Sequence, residues 1–112
     1  PPMPSELDFL LKDFFDCYNK NKNKLHPVIL AGLVHLKFVT IHPFSDGNGR
    51  ISRIMMNFVL NKYNFPMLNI DYNNRNSYYH ALERSQINKQ ENTFVQWFLK
   101  KYIRENQRYL KK

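Results

Sequence analysis

Apolar residues along this chain recur at intervals of three and four, and alternating apolar–polar runs are absent, which confines the sequence to helices. Leu7, Leu10, Leu11, Phe14, Phe15 and Tyr18 form the first stripe, after an extended Pro1–Pro4 entry and a capping-box-like start at Ser5 and Asp8. Asn19–Lys24 holds no apolar residue and predicts the first loop. His26-Pro27 opens a second helix, with proline at the first helical position, where a missing N–H costs nothing. Its stripe is Leu30, Leu33, Val34, Phe38 and Ile41, and it stops at His42-Pro43, because a residue before proline avoids the helical region. A third helix is expected from about Arg50 to Tyr63, burying Ile51, Ile54, Met55, Phe58 and Val59. Asn69–Asn76 reads as a polar loop before a short helix near Ser77–Ile87. Thr93 and Gln96 suggest a capping box for a last helix to about Leu110, with Phe94, Phe98, Tyr102 and Ile103 inward. The prediction is an all-α bundle of about five helices, with a loop over His42–Gly49 leading into a central helix.

At 112 residues and 43% hydrophobic content, residues 1–112 fit one domain with one core. The single cysteine, Cys17, excludes an intrachain disulfide and a cysteine-rich zinc site, and favours a reducing, cytoplasmic setting. A net charge of +8 points to anionic partners: nucleotide, nucleic acid or an acidic protein surface. The lysines of Asn19–Lys24 and Lys100–Lys112 read more simply as solvated surface than as a nucleic-acid patch. No apolar run is long enough to span a membrane. The chain opens on proline, so it reads as a piece of a longer protein.

The chemistry is concentrated in His42-Pro43-Phe44-Ser45-Asp46-Gly47-Asn48-Gly49-Arg50-Ile51-Ser52-Arg53. A histidine and a carboxylate sit on a loop that feeds a helix N-terminus, with Asn48 as a suitable N-cap and glycines that admit close backbone approach. Arg50 and Arg53 occupy the first turn, where cations oppose the helix dipole. A bound anion resolves that conflict, since free N–H groups and both guanidinium groups then converge on it. Arg50, Arg53 and Asn57 share one face, opposite the apolar residues. His42 can act as a general base and Asp46 can hold Mg²⁺ against phosphate oxygens. The glycines are not followed by Lys-Ser/Thr, so this is not a P-loop.

This segment resembles the Fic-family motif HxFx(D/E)GNGRxxR at every defined position. Leu25-His26-Pro27 and Arg75–Glu83 (RNSYYHALE) also resemble family segments, and Pro1–Pro4 resembles the stretch after the family's target-docking flap. The resemblance implies the core of a Fic domain of the AMP-transferring branch. It implies that His42 deprotonates a target hydroxyl, that Phe44 anchors the loop, and that Asp46 coordinates Mg²⁺ at the α- and β-phosphates. Gly47, Asn48 and Gly49 would form the anion hole, Arg50 and Arg53 would bind the β- and γ-phosphates, and Tyr78 and Tyr79 match a region lining the adenine pocket. Read as residues alone, Tyr78 and Tyr79 are more simply packing aromatics than adenine contacts. The implied activity is AMP transfer from ATP to a Ser, Thr or Tyr hydroxyl of a target protein, with removal of AMP as the related reaction. Gly49 stands where kinases of the superfamily carry lysine.

Two alternatives remain at this level: a non-catalytic helical module for nucleotide or nucleic acid, and a family enzyme moving another phosphate-containing group. Family members are often held inactive by a helix bearing (S/T)xxxE(G/N), whose glutamate pairs with the second motif arginine. Glu91-Asn92 and Glu105-Asn106 lack the serine or threonine four residues earlier, where Ile87 and Lys101 stand. An inhibitory helix is therefore expected before Pro1 or on an antitoxin-like partner chain. His26, His35 and His80 have no ligand spacing and read as structural or exposed.

Overall fold

The computed structural model describes residues 3–41, 47–70 and 75–107. Its element order is α1 (Pro4–Asn21), α2 (Pro27–Ile41), α3 (Asn48–Lys62), α4 (Arg75–Asn88) and α5 (Glu91–Glu105), with no strand among the described residues. The fold is all-α.

The central helix is α2, not the helix after the motif. Pro27 starts it as expected, and the His26 ring nitrogen Nδ1 accepts the Val28 N–H at 3.2 Å. Its buried residues run right round the axis: Val28, Leu30, Ala31, Gly32, Val34, His35, Leu36 and Phe38. A helix apolar on all sides belongs inside a bundle. Accordingly α1, α3 and α5 each pack against it, while α4 leans on α5. Phe94, Phe98 and Tyr102 of α5 complete the core, and the Tyr102 hydroxyl donates to the Pro66 carbonyl at 2.9 Å.

Several sequence expectations shift. The first helix begins at Pro4 after Met3, with no side-chain cap, and continues through Asn21 into the expected loop. Pro4 supplies the fixed φ that a first turn needs, and with the helix starting there Ser5 lies inside the first turn and not at the cap. The fifth helix runs over Glu91–Glu105, starting two residues before Thr93, and the expected end near Leu110 lies outside the described residues. Its start is bonded from a neighbouring helix, since Ser85 Oγ of α4 accepts the Phe94 N–H at 2.8 Å. Ile103 points outward.

The largest correction concerns α3. It faces α2 with Ser52, Met56, Val59 and Leu60, leaving Ile54 63% and Phe58 66% exposed. These two line an open apolar groove of about 490 Å³ shared with Phe14, Phe15 and Tyr18 of α1. The helix thus carries apolar residues on two faces, and only the one nearer α2 is covered.

Candidate active site

The motif side of the site follows from how α3 begins. Gly47 has φ of +80°, a left-handed backbone open to glycine at little cost, and it is the residue that caps the helix. The turn therefore closes one residue earlier than expected. Asn48 is not the N-cap but the first helical residue, and it is buried. The Gly47 carbonyl accepts the Ile51 N–H at 3.0 Å, and the Ser52 hydroxyl donates to the Gly49 carbonyl at 2.8 Å, which firms the first turn.

Side chains on a helix lean toward its N-terminus. Both arginines do so here. A Cβ placed on Gly47 would lie 3.1 Å from Arg50 Nη2, and one on Gly49 would lie 3.3 Å from Arg53 Nη1. Both guanidinium groups thus lie back along the start of the helix, an arrangement suited to an oxyanion. They diverge in one respect. Arg53 borders the main site pocket, whereas Arg50 is exposed and faces a neighbouring groove with Ile54, Asn57 and Phe58.

Asn57 borders that groove too, but both polar atoms of its amide are bonded to backbone. Its Nδ2 donates to the Leu68 carbonyl at 3.1 Å and its Oδ1 accepts the Leu68 N–H at 2.8 Å. It holds the segment after α3 in place, a role the shared helix face with Arg50 and Arg53 did not reveal.

The site pocket encloses about 620 Å³ and brings Gly47, Asn48, Gly49 and Arg53 together with Tyr78 and Tyr79. Val39, Thr40, Leu82 and Gln86 complete its lining. Sequence reasoning missed those four. A signal was present for two of them, because Leu82 and Gln86 follow Tyr78 at helical spacing on α4. The two tyrosines differ: Tyr78 is buried, while Tyr79 is 59% exposed at the rim.

Behind the pocket, the buried His35 Nε2 and the Tyr78 hydroxyl share a hydrogen bond of 2.6 Å. The His35 ring stacks on Phe94 with centroids 5.5 Å apart and planes 9° from parallel. Burial lowers its pKa to about 4, opposed by the Ser52 backbone and reinforced by the charge of Arg53. Burial likewise pushes Tyr78 up to about 12, with Arg53 pulling the other way. Both rings are neutral near pH 7.

His42 and Asp46 lie outside the described residues, as do Pro43, Phe44 and Ser45. Among the described residues no group of three His, Cys, Asp or Glu side chains could hold a metal ion. Glu91 pairs with Lys37 at 3.5 Å and Glu105 with the buried Lys101 at 3.1 Å. No described helix is long and apolar enough to cross a membrane. His26 and His80 are exposed.

Residues 1–60 match the family model described as Fic/DOC family. The chain belongs to the Fic/DOC family. Its curated relatives include a "Protein adenylyltransferase Fic" from Drosophila grimshawi, 45% identical over 84 residues, which covers 74% of this chain and 17% of that protein. A protein of the same name from Nematostella vectensis is 41% identical over 86 residues, 76% of this chain and 20% of that protein. This Fic core therefore spans about a fifth or less of those relatives. Among solved structures, a Fic-domain-containing signaling protein from Bacteroides thetaiotaomicron superposes with a TM-score of 0.81 at 34% identity, over 90% of this chain and 43% of that one. Fic-1 (residues 134–508) from C. elegans gives a TM-score of 0.81 at 31% identity, over 98% of this chain and 33% of that one.

Proposed function

We propose that this chain carries the nucleotide-handling core of a protein adenylyltransferase, which moves AMP from ATP to a Ser, Thr or Tyr hydroxyl of a target protein. One observation supports this most. The anion-binding start of α3 and two tyrosines of α4 open into a single pocket, so phosphates at one end leave a planar base near Tyr79 at the other. The relatives named as adenylyltransferases support the same reading.

In this reading His42 takes the proton of the target hydroxyl, and the resulting oxygen attacks the α-phosphate while pyrophosphate leaves. Gly47, Asn48 and Gly49 offer backbone N–H groups to the phosphates, and Arg50 and Arg53 neutralise the charge of the β- and γ-phosphates. Asp46 stands directly before this nest in sequence, and one carboxylate beside substrate phosphates is a donor set that fits Mg²⁺. When bound, that ion would neutralise phosphate charge.

The test is transfer of label to protein from ATP carrying it at the α or the γ position. Label from the α position alone supports adenylyl transfer. Label from γ alone would make the protein a kinase. Transfer from neither, with ATP still bound, would leave a nucleotide-binding module.

A further inference from the structure

The far wall of the pocket is α4, and that helix leans on α5, not on the helix that begins the anion site. Two side-chain hydrogen bonds tie it to α2 across the pocket. One is exposed, from Gln86 Nε2 to Thr40 Oγ1 at 3.1 Å. The other is the buried bond between His35 and Tyr78 at 2.6 Å. An exposed bond exchanges readily with water, whereas a buried partner left unmatched is costly. The buried bond is therefore the tie that can set where α4 stands.

His35 does not line the pocket and is 0% exposed. Its surroundings hold the ring rigidly: Phe94 stacks on it from α5, Tyr78 meets it edge-on from α4, and Arg53 is the charged group acting on it from α3. Tyr78 in turn touches Tyr79 at 5.1 Å between centroids and Trp97 at 5.7 Å. The Trp97 indole N–H donates to Ser77 Oγ at 2.7 Å, so the turn bearing Tyr78 and Tyr79 is fixed from both α2 and α5.

We propose that His35 is a positioning residue for nucleotide binding. Acting as a neutral imidazole from inside the core, it holds Tyr78, and through Tyr78 the pocket-facing turn of α4. It thereby sets the spacing between Gly47–Gly49 with Arg53 on one side of the pocket and Tyr79 with Leu82 on the other, the two walls between which a nucleotide would lie. Because the pair is neutral, it adds no charge that would compete with phosphate for Arg53. The inference rests on the nucleotide-binding reading of the pocket and adds a residue to it that touches no ligand.

Calorimetric titration with ATP and Mg²⁺ tests it, using the parent, His35→Leu, Tyr78→Phe, the double variant and His35→Gln. Each of His35→Leu and Tyr78→Phe should weaken ATP binding about three- to tenfold, the range expected for one lost hydrogen bond. The double variant should be no weaker than the weaker single, since both remove the same bond. His35→Gln should recover most of the loss, because its amide nitrogen can reach the Tyr78 hydroxyl. A purely structural role would not predict that recovery at unchanged thermal stability. Should His35→Leu fail to fold, His35→Phe takes its place in the comparison, because Tyr78 itself lines the pocket. Parent-like ATP affinity in Tyr78→Phe, or losses that add in the double variant, would overturn the inference while leaving the nucleotide reading intact. A parent that binds no ATP would overturn both.

Discussion

Arg53 folds back along α3 until its Nη1 lies 3.3 Å from where a Cβ on Gly49 would stand. A methyl group at Gly49 would fit only if the guanidinium gave way by a few tenths of an ångström, so the residue beneath it sets how close Arg53 comes to the helix N-terminus. Gly49→Ala should displace Arg53 and weaken ATP binding, with little effect on folding because Gly49 has no positive φ. Equal ATP affinity in parent and variant, measured by calorimetry, would contradict this.

Gly47 is constrained differently. Its φ of +80° is a left-handed conformation that costs a residue with a Cβ about 1–2 kcal/mol. Gly47→Ala should therefore lower the free energy of unfolding by about that amount in urea titrations.

Arg53→Ala should weaken ATP binding much more than AMP binding. In the proposed pocket its guanidinium would meet the phosphates farthest from the base in a charge-assisted contact. Parallel titrations with the two nucleotides measure the difference. Comparable losses would remove Arg53 from the γ-phosphate.

Stability should fall as the solution is acidified through the range that His35 governs. Unfolded, its side chain titrates near 6.5; folded, burial holds it at about 4. Between those values the unfolded chain binds a proton that the folded chain does not, so unfolding is favoured as pH drops. The contribution is fully present above pH 6.5 and is lost progressively toward pH 4, amounting to about 3 kcal/mol at most. His35→Gln, which cannot titrate, should flatten that part of the stability–pH curve.

The start of α5 offers a test of the fold itself. Ser85→Ala removes the acceptor of the buried Phe94 N–H and should cost about 1 kcal/mol of stability. Since Ser85 does not line the site pocket, ATP affinity should stay close to the parent value.

Much of this architecture was legible in the sequence. Pro27 marked the start of α2, and the glycines of the motif marked the loop-to-helix turn that starts α3, because these are local signals. What sequence patterning missed depends on neighbours. Ile54 and Phe58 looked like core residues, but burial on α3 is decided by where α2 lies, and Ser52 and Met56 face it instead. Ser85 gave no sign of bonding a helix nine residues onward, since the contact exists only once α4 and α5 fold together. Likewise His35 stood off the apolar stripe of its own helix, and only enclosure of α2 on every side turned it into the partner of Tyr78.

Activation of a target hydroxyl beside a bound nucleotide, the role proposed for His42, is probed by His42→Ala. Transfer of α-label from ATP to protein should fall by about 10²–10⁴-fold, the usual loss when a general base is removed. ATP affinity should remain near the parent value, because the base acts on the target and not on the nucleotide. Transfer that persists at close to the parent rate would contradict the account.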